Sequence, residues 1–133
     1  RVMIDDYAHH PEELRALISG TKKLFSNKKC TVVFQPHLFS RTRDFADGFA
    51  ESLAQADELL LLDIYPAREL QKDFEGVTSA WLSEKVKLNK KEVCALSEAF
   101  NKIKEKEFDI LLTVGAGNID TLYDEIVEWL AQK

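Results

Sequence analysis

The sequence has few cysteines: Cys30 and Cys94 are the only two in 133 residues. One bridge at most could form, which excludes a disulfide-stapled scaffold and favours a reducing compartment. Both sit in short apolar runs and read as small core residues. The chain lacks any apolar run of membrane length, any signal peptide and any transit peptide, so neither a membrane partner nor export is expected, and a cytoplasmic setting is. A basic excess is missing too. Lys and Arg number 18 against 23 Asp and Glu, a net charge of −5. Nucleic acid is therefore not expected as the main partner, because binding a phosphate backbone needs a basic field. Proline and glycine are sparse, at three and five, and no internal repeat, low-complexity tract or linker is present. An initiator methionine is absent as well. The chain starts at Arg1 and is in a strand pattern by Val2, so it is expected to be a piece of a longer protein.

What is present suits one globular domain over residues 1–133, with 45% hydrophobic and 31% charged residues. Residues 2–5 form a short strand ending in Asp5-Asp6. Pro11 opens a helix, with Glu12 and Glu13 at its positive end and Lys22 and Lys23 at its negative end. Its apolar face is Leu14, Leu17, Ile18, Thr21, Leu24 and Phe25. A second strand, Cys30–Phe34, stops at Gln35-Pro36, because proline cannot donate to a ladder. A helix over about residues 43–55 is expected to bury Phe45, Phe49, Leu53 and Ala56. Residues 58–64 carry four leucines in a row, the pattern of a parallel strand covered on both faces.

A long loop to Gly76 follows. Thr78 or Ser79 caps a short helix with Leu82 and Val86 inward. Residues 93–96 read as a strand, and Ser97 as the cap of a helix with Phe100 and Ile103 inward and Lys102, Lys104 and Lys106 outward. Residues 109–114 are the last strand. Gly115-Ala116-Gly117-Asn118 turns into a helix whose inner face is Ile119, Leu122, Tyr123, Ile126, Val127 and Leu130. Trp81 and Trp129 are expected to cover helix–sheet seams. Strands alternating with helices imply an α/β fold: a mostly parallel five- or six-stranded sheet with helices on both faces.

Ligands of such sheets sit at the carboxyl ends of the strands. The unusual polar residues of this chain follow strands one, two, three and five, whereas the opposite turns are plain and lysine-rich. In His37-Leu38-Phe39-Ser40-Arg41-Thr42-Arg43, a histidine and two arginines meet a helix start, which suits a carboxylate or phosphate. The same loop also reads as a solvated cap, since Ser40 and Thr42 are good cap residues. Asp5, Asp6, His9, His10 and His37 lack the spacing of a metal motif, so no protein-bound metal is expected. Gly115-x-Gly117 lacks the third glycine of a dinucleotide fingerprint. It reads either as a tight turn with Asn118 as helix cap, or as a place where a ligand approaches backbone N–H groups. Arg68 reads equally as a further anion contact or a surface charge. A receiver-like signalling module is the rival, with Asp5 and Asp6 holding magnesium, Asp63 as phosphoacceptor and Thr113 as switch.

Asp5-Asp6-Tyr7-Ala8-His9-His10-Pro11, Phe34-Gln35-Pro36-His37, Ser40-Arg41-Thr42-Arg43-Asp44, Tyr65-Pro66-Ala67 and Gly115-Ala116-Gly117-Asn118 together resemble the carboxy-terminal domain of the Mur ligases. Within that family they are most similar to the members that add L-alanine to UDP-N-acetylmuramate. The resemblance covers essentially the whole chain, in order. It implies a Rossmann-like third domain of a cytoplasmic three-domain enzyme of peptidoglycan synthesis. In that enzyme ATP, with Mg2+, converts the muramate carboxylate to an acyl phosphate, which the alanine amine attacks. It further implies that Asp6 contacts the ATP ribose. Tyr7, His9, His37 and Arg41 would surround the amino acid and acyl phosphate, with His37 and Arg41 catalytic. Arg43, Gly115 and Asn118 would contribute to substrate binding. Leu38 stands where many relatives carry arginine, a contact that Arg43 could replace. The phosphate loop G-x-x-x-x-G-K-[ST] is missing; in the family it lies in the central domain, so this chain alone is expected to be inactive.

Overall fold

The computed structural model describes residues 1–132. Five parallel strands, β1 (Val2–Asp6), β2 (Cys30–Phe34), β3 (Glu58–Leu62), β4 (Lys91–Cys94) and β5 (Ile110–Val114), form one sheet in the order β1-β5-β2-β3-β4. The helices are α1 (Pro11–Leu24), α2 (Phe39–Asp44), α3 (Ala46–Leu53), α4 (Ser79–Lys85), α5 (Leu96–Lys104) and α6 (Tyr123–Ala131), with 3-10 turns at Gln71–Asp73 and Ile119–Leu122. Every residue of β2 and β5 is buried, as their uninterrupted apolar runs require of central strands. The edge strand β1 is mostly exposed or half-exposed.

Strand alternation sorts the core into two layers. Val32, Phe34, Leu59, Leu61, Leu112 and Val114 face α1, α3 and α4, through Leu14, Ile18, Phe49, Leu53 and Leu82. Val33, Leu60, Leu62 and Leu111 face α5 and α6, through Ala99, Ile103 and Ile126. The chain steps outward from β2 to β4 with helices on the first face, then returns to insert β5 between β1 and β2. The helices that follow β5 and β2 therefore leave toward opposite faces. That reversal opens a crevice at the carboxyl ends of β1, β5 and β2.

Several sequence expectations are corrected. The helix expected over 43–55 is two helices. It starts earlier, at Phe39, and breaks at Phe45 (φ −117°, ψ 23°). Phe45 is 46% exposed and lies edge-on to the His10 ring, 5.8 Å between centroids. Leu24, Tyr123 and Val127 are exposed rather than inward, because each falls at an end or flank of its helical stripe. Ser40 and Thr42 are not caps: the residue before α2 is Leu38, at φ +74°. The strand expected over 93–96 is Lys91–Cys94, and α5 begins one residue before Ser97. There Glu98 accepts from the Ala95 N–H, 3.3 Å. Asn118 makes no side-chain cap. Lys106 is not outward: its side chain is 10% exposed and pairs with Glu58 (3.0 Å) and Glu92 (3.4 Å). With Lys29 on Glu58 at 2.8 Å and Lys102 on Glu92 at 2.9 Å, it ties the amino-terminal edge of the sheet, opposite the crevice.

Candidate functional site

Each loop at the crevice is fixed by its own local chemistry. After β1, the Asp6 carboxylate accepts from the Ala8 N–H, 2.9 Å, while Gly115 N–H donates to the Asp6 carbonyl, 3.0 Å. The Glu13 carboxylate accepts from the His9 and His10 N–H groups (3.2 and 3.1 Å), which satisfies free donors at the start of α1. These bonds, the His9 contact first, hold the Glu13 carboxyl below its ordinary range. On the far side, the Ser52 hydroxyl donates to the Pro11 carbonyl at 3.0 Å, so α3 anchors the turn that carries both histidines. Asp5 is spoken for: Thr113 donates to its carboxylate at 2.7 Å.

After β2 and β3 the chain pairs once more beyond the sheet. Tyr65 N–H donates to the Pro36 carbonyl and Leu38 N–H to the Tyr65 carbonyl, both at 2.8 Å. His37 and Tyr65 form a parallel bridge. Positive φ at Leu38 (+74°) and Ala67 (+53°) brackets this pairing. Such values cost a bulky side chain roughly 1–2 kcal/mol, so the surrounding contacts hold the two loops against strain. Ser40 donates to Glu69 through its backbone N–H (3.0 Å) and its hydroxyl. Burial raises the Glu69 carboxyl, but these bonds outweigh it and hold it below its usual range.

The turn after β5 is held from below by Gln35, which is 3% exposed. Its Nε2 donates to Asn118 Oδ1 at 2.6 Å, and its Oε1 accepts from Ile119 N–H at 3.0 Å. Gly115 has φ +152°. A Cβ at Gly117 would lie 2.5 Å from Gln35 Oε1 and 2.6 Å from Tyr65 Cγ. Both glycines therefore have reasons inside the chain itself: one a backbone conformation, the other a close approach by Tyr65 and Gln35.

The crevice gathers three of the expected site residues. Arg41 Nη1 donates to His37 Nδ1 at 3.0 Å, and the His9 ring lies 6.4 Å from His37, edge-on. Among the described residues no carboxylate pairs with Arg41, so its remaining N–H donors are open to an anion. Accepting from a guanidinium requires a lone pair on His37 Nδ1, which places the neutral ring's proton on Nε2. Burial first, then the Arg41 charge, hold His37 below the ordinary imidazole value. In His9 the arrangement is reversed. Nδ1 bonds to the Tyr7 carbonyl at 2.9 Å, so Nδ1 carries the proton and Nε2 has the free lone pair.

The other expected residues are dispersed. Tyr7 is 65% exposed at the rim. Asp6 ends β1 on the same edge, two strand spacings from β2, about 10 Å. Arg43 sits two residues from Arg41 on α2 and so points elsewhere. It bonds Asp44 at 2.9 Å and lies over the Phe74 ring at 5.2 Å, so this geometry does not offer it as a replacement at Leu38. Gly115 and Asn118 belong to the Gln35-held turn. Among the described residues no three or more His, Cys, Asp or Glu side chains converge as a metal site. Gln35 and Tyr65 stand in stretches that carry the family resemblance, yet neither they nor Glu69 were expected to shape the site. For Gln35 the local signal was a glutamine directly after a fully buried strand. The receiver-like arrangement is excluded by strand order: a receiver places β1 inside the sheet, in the order 2-1-3-4-5, whereas β1 here is at the edge. Asp63 lies three spacings, about 14 Å, from Asp5 and Asp6.

Comparison with known proteins agrees with this fold. The family profile described as Mur ligase, glutamate ligase domain, matches residues 1–117. The chain is 50% identical over 129 residues to a UDP-N-acetylmuramate–L-alanine ligase of Flavobacterium johnsoniae, covering 97% of this chain and 28% of that protein. It is 48% identical over 132 residues to the protein of the same name in Parabacteroides distasonis, covering 99% and 28%. Among solved structures it is similar to the UDP-N-acetylmuramate–alanine ligase of Thermotoga maritima, with TM-score 0.75 and 30% identity over 98% of this chain and 27% of that one. The chain thus spans less than a third of the length of the relatives it matches. Taking the profile match together with a parallel sheet whose crevice carries His9, His37 and Arg41, the chain belongs to the family of Mur ligase, glutamate ligase domains.

Proposed function

We propose that the chain is the carboxy-terminal domain of a three-domain, ATP-dependent ligase that joins L-alanine to UDP-N-acetylmuramate through an acyl phosphate, in peptidoglycan precursor synthesis. The observation that carries this reading is Arg41: a guanidinium steadied by a neutral histidine and, among the described residues, left without a carboxylate partner, at the carboxyl edge of the sheet. Near-50% identity to UDP-N-acetylmuramate–L-alanine ligases supports the substrate assignment.

In the proposed reaction ATP transfers its γ-phosphoryl group to the muramate carboxylate and ADP leaves. The alanine amine then attacks the acyl carbon, and phosphate departs with the C–O electron pair. Arg41 supplies two or more N–H donors to the amino-acid carboxylate or the acyl phosphate, a planar fork suited to either. His37, with its Nδ1 lone pair taken by Arg41, holds that guanidinium and offers Nε2–H as a donor. His9, with Nε2 free, is the ring able to accept from the alanine ammonium and take its proton. In this reading Tyr7 covers the amino acid at the open rim, and Asp6 meets the ribose of ATP.

The described side chains do not make a magnesium site: Asp5 is bonded to Thr113, the Asp6 carboxylate accepts from the Ala8 N–H, and among the described residues no group of three or more His, Cys, Asp or Glu converges. Magnesium and the ATP phosphates belong to the central domain, where the phosphate loop that this chain lacks would lie. The crevice is accordingly half a pocket, completed when the central and amino-terminal domains close on it. Nucleotide-linked substrates place the reaction in the cytoplasm. The test is phosphate release by the full-length protein. The proposal expects release only when ATP, UDP-N-acetylmuramate and L-alanine are all present. Release without L-alanine, or with another amino acid preferred, overturns it.

A further inference from the structure

The His37–Arg41 pair is not held by α2 alone. The Tyr65 ring lies flat against the His37 imidazole, 5.5 Å between centroids and 12° from parallel. The base of that same ring closes on the β5 turn, where a Cβ at Gly117 would come within 2.6 Å of Tyr65 Cγ and 2.7 Å of its Cβ. Gln35 pins the other side of this turn through Asn118 and Ile119. The Tyr65 backbone is locked by bonds to Pro36 and Leu38, and its hydroxyl makes no hydrogen bond among the described residues. Tyr65 thus contributes a ring face and its shape. One rigid ring therefore touches both the turn after β5 and the imidazole that receives Arg41.

We propose that Tyr65 is a positioning residue that couples the turn after β5 to the His37 ring and, through it, to the Arg41 guanidinium. A shift of that turn is transmitted by contact, because Gly117 leaves no slack between backbone and ring. For the chemistry at Arg41 the proposal rests on the ligase reading above. The coupling itself can be read from His37 alone, so its failure is separable from failure of that reading.

The groups facing His37 are Arg41 from α2, His9 from the loop after β1, and Glu69 and Tyr65 from the loop after β3. Removing the stacked ring exposes the imidazole and loosens the Arg41 contact. Both changes ease protonation, so the midpoint rises.

The experiment is long-range 1H–15N NMR of the imidazoles across pH, on this chain and four variants. The parent is expected to show His37 neutral with the proton on Nε2, titrating below the ordinary imidazole value. Tyr65→Phe, which keeps the ring, is expected to match it. Tyr65→Leu and Gly117→Ala are expected to raise the His37 midpoint toward the ordinary imidazole value of about 6.5. Gly20→Ala, where an added Cβ meets nothing within 4 Å, is the silent control. If Gly117→Ala does not fold, the Tyr65→Phe and Tyr65→Leu pair decides. A His37 tautomer and midpoint unchanged in folded Tyr65→Leu overturn the proposal, as does a change in Tyr65→Phe equal to that in Tyr65→Leu.

Discussion

Gln35 carries the sharpest stability prediction. Its amide is buried and makes two bonds, to Asn118 Oδ1 and from Ile119 N–H. Gln35→Met keeps the volume and removes both. The lost bond to Asn118 is worth about 1 kcal/mol, because Asn118 can turn toward water. The Ile119 N–H is left buried without an acceptor, which costs about 1–3 kcal/mol. The sum is roughly 2–4 kcal/mol. Gln35→Ala adds a cavity and a further ~1–2 kcal/mol. With a urea m-value of about 1.5 kcal/mol/M, a loss of 3 kcal/mol lowers the unfolding midpoint by about 2 M. Hydrogen exchange at Ile119 should accelerate along with it. A Gln35→Met midpoint equivalent to within about 0.5 kcal/mol of the parent, with Ile119 equally protected, would refute the claim that this amide anchors the turn.

Three further outcomes follow from other parts of the fold. Thr31 Oγ1 is buried and has no hydrogen-bond partner among the described residues, so Thr31→Val, nearly the same shape, should stabilise the chain by about 1 kcal/mol in the same urea titration; equal or lower stability would contradict that. Burial raises the Glu58 carboxyl, but bonds from Lys29 and Lys106 outweigh it and leave it below its ordinary 4.5. Its contribution is therefore present above that value and is lost as pH falls through the lower, folded one. Lys106→Met should shift acid unfolding to higher pH, and an unmoved acid midpoint would count against the network. Burial pushes both Cys30 and Cys94 up to about 11, leaving roughly a thousandth as thiolate at pH 8. An aromatic disulfide reagent should therefore react with neither until the chain unfolds.

Much of the sheet was legible in the sequence because buried parallel strands leave uninterrupted apolar runs. Cys30–Phe34 matches its expected bounds for that reason, and the leucines of β3 stand out equally. The carboxyl edge was legible as well, since its histidines and arginines contrast with the plain turns opposite. What was not legible depends on partners far along the chain. The break at Phe45 leaves a phenylalanine over His10 rather than in the core, and no local period signals it. Lys106 looks like any surface lysine until Glu58 and Glu92 are brought beside it. Gln35 reads as the residue that ends a strand, yet it lies beneath the turn 83 residues later. Gly117 reads as a turn glycine, although its missing Cβ is what lets Tyr65 sit against the turn. Helical spacing could have separated Arg41 from Arg43; the tautomers of His9 and His37 needed coordinates.

The central claim is that the crevice is half of a ligase pocket in which Arg41 meets charge supplied by substrates. It is tested most directly by Arg41→Ala in the full-length protein, with ligation rate and thermal midpoint measured side by side. The account predicts that kcat/KM for L-alanine falls by about 100-fold or more, that Arg41→Lys restores only part of it, and that the midpoint stays within about 2 °C. Parental turnover and an unchanged KM for L-alanine in folded Arg41→Ala would contradict it.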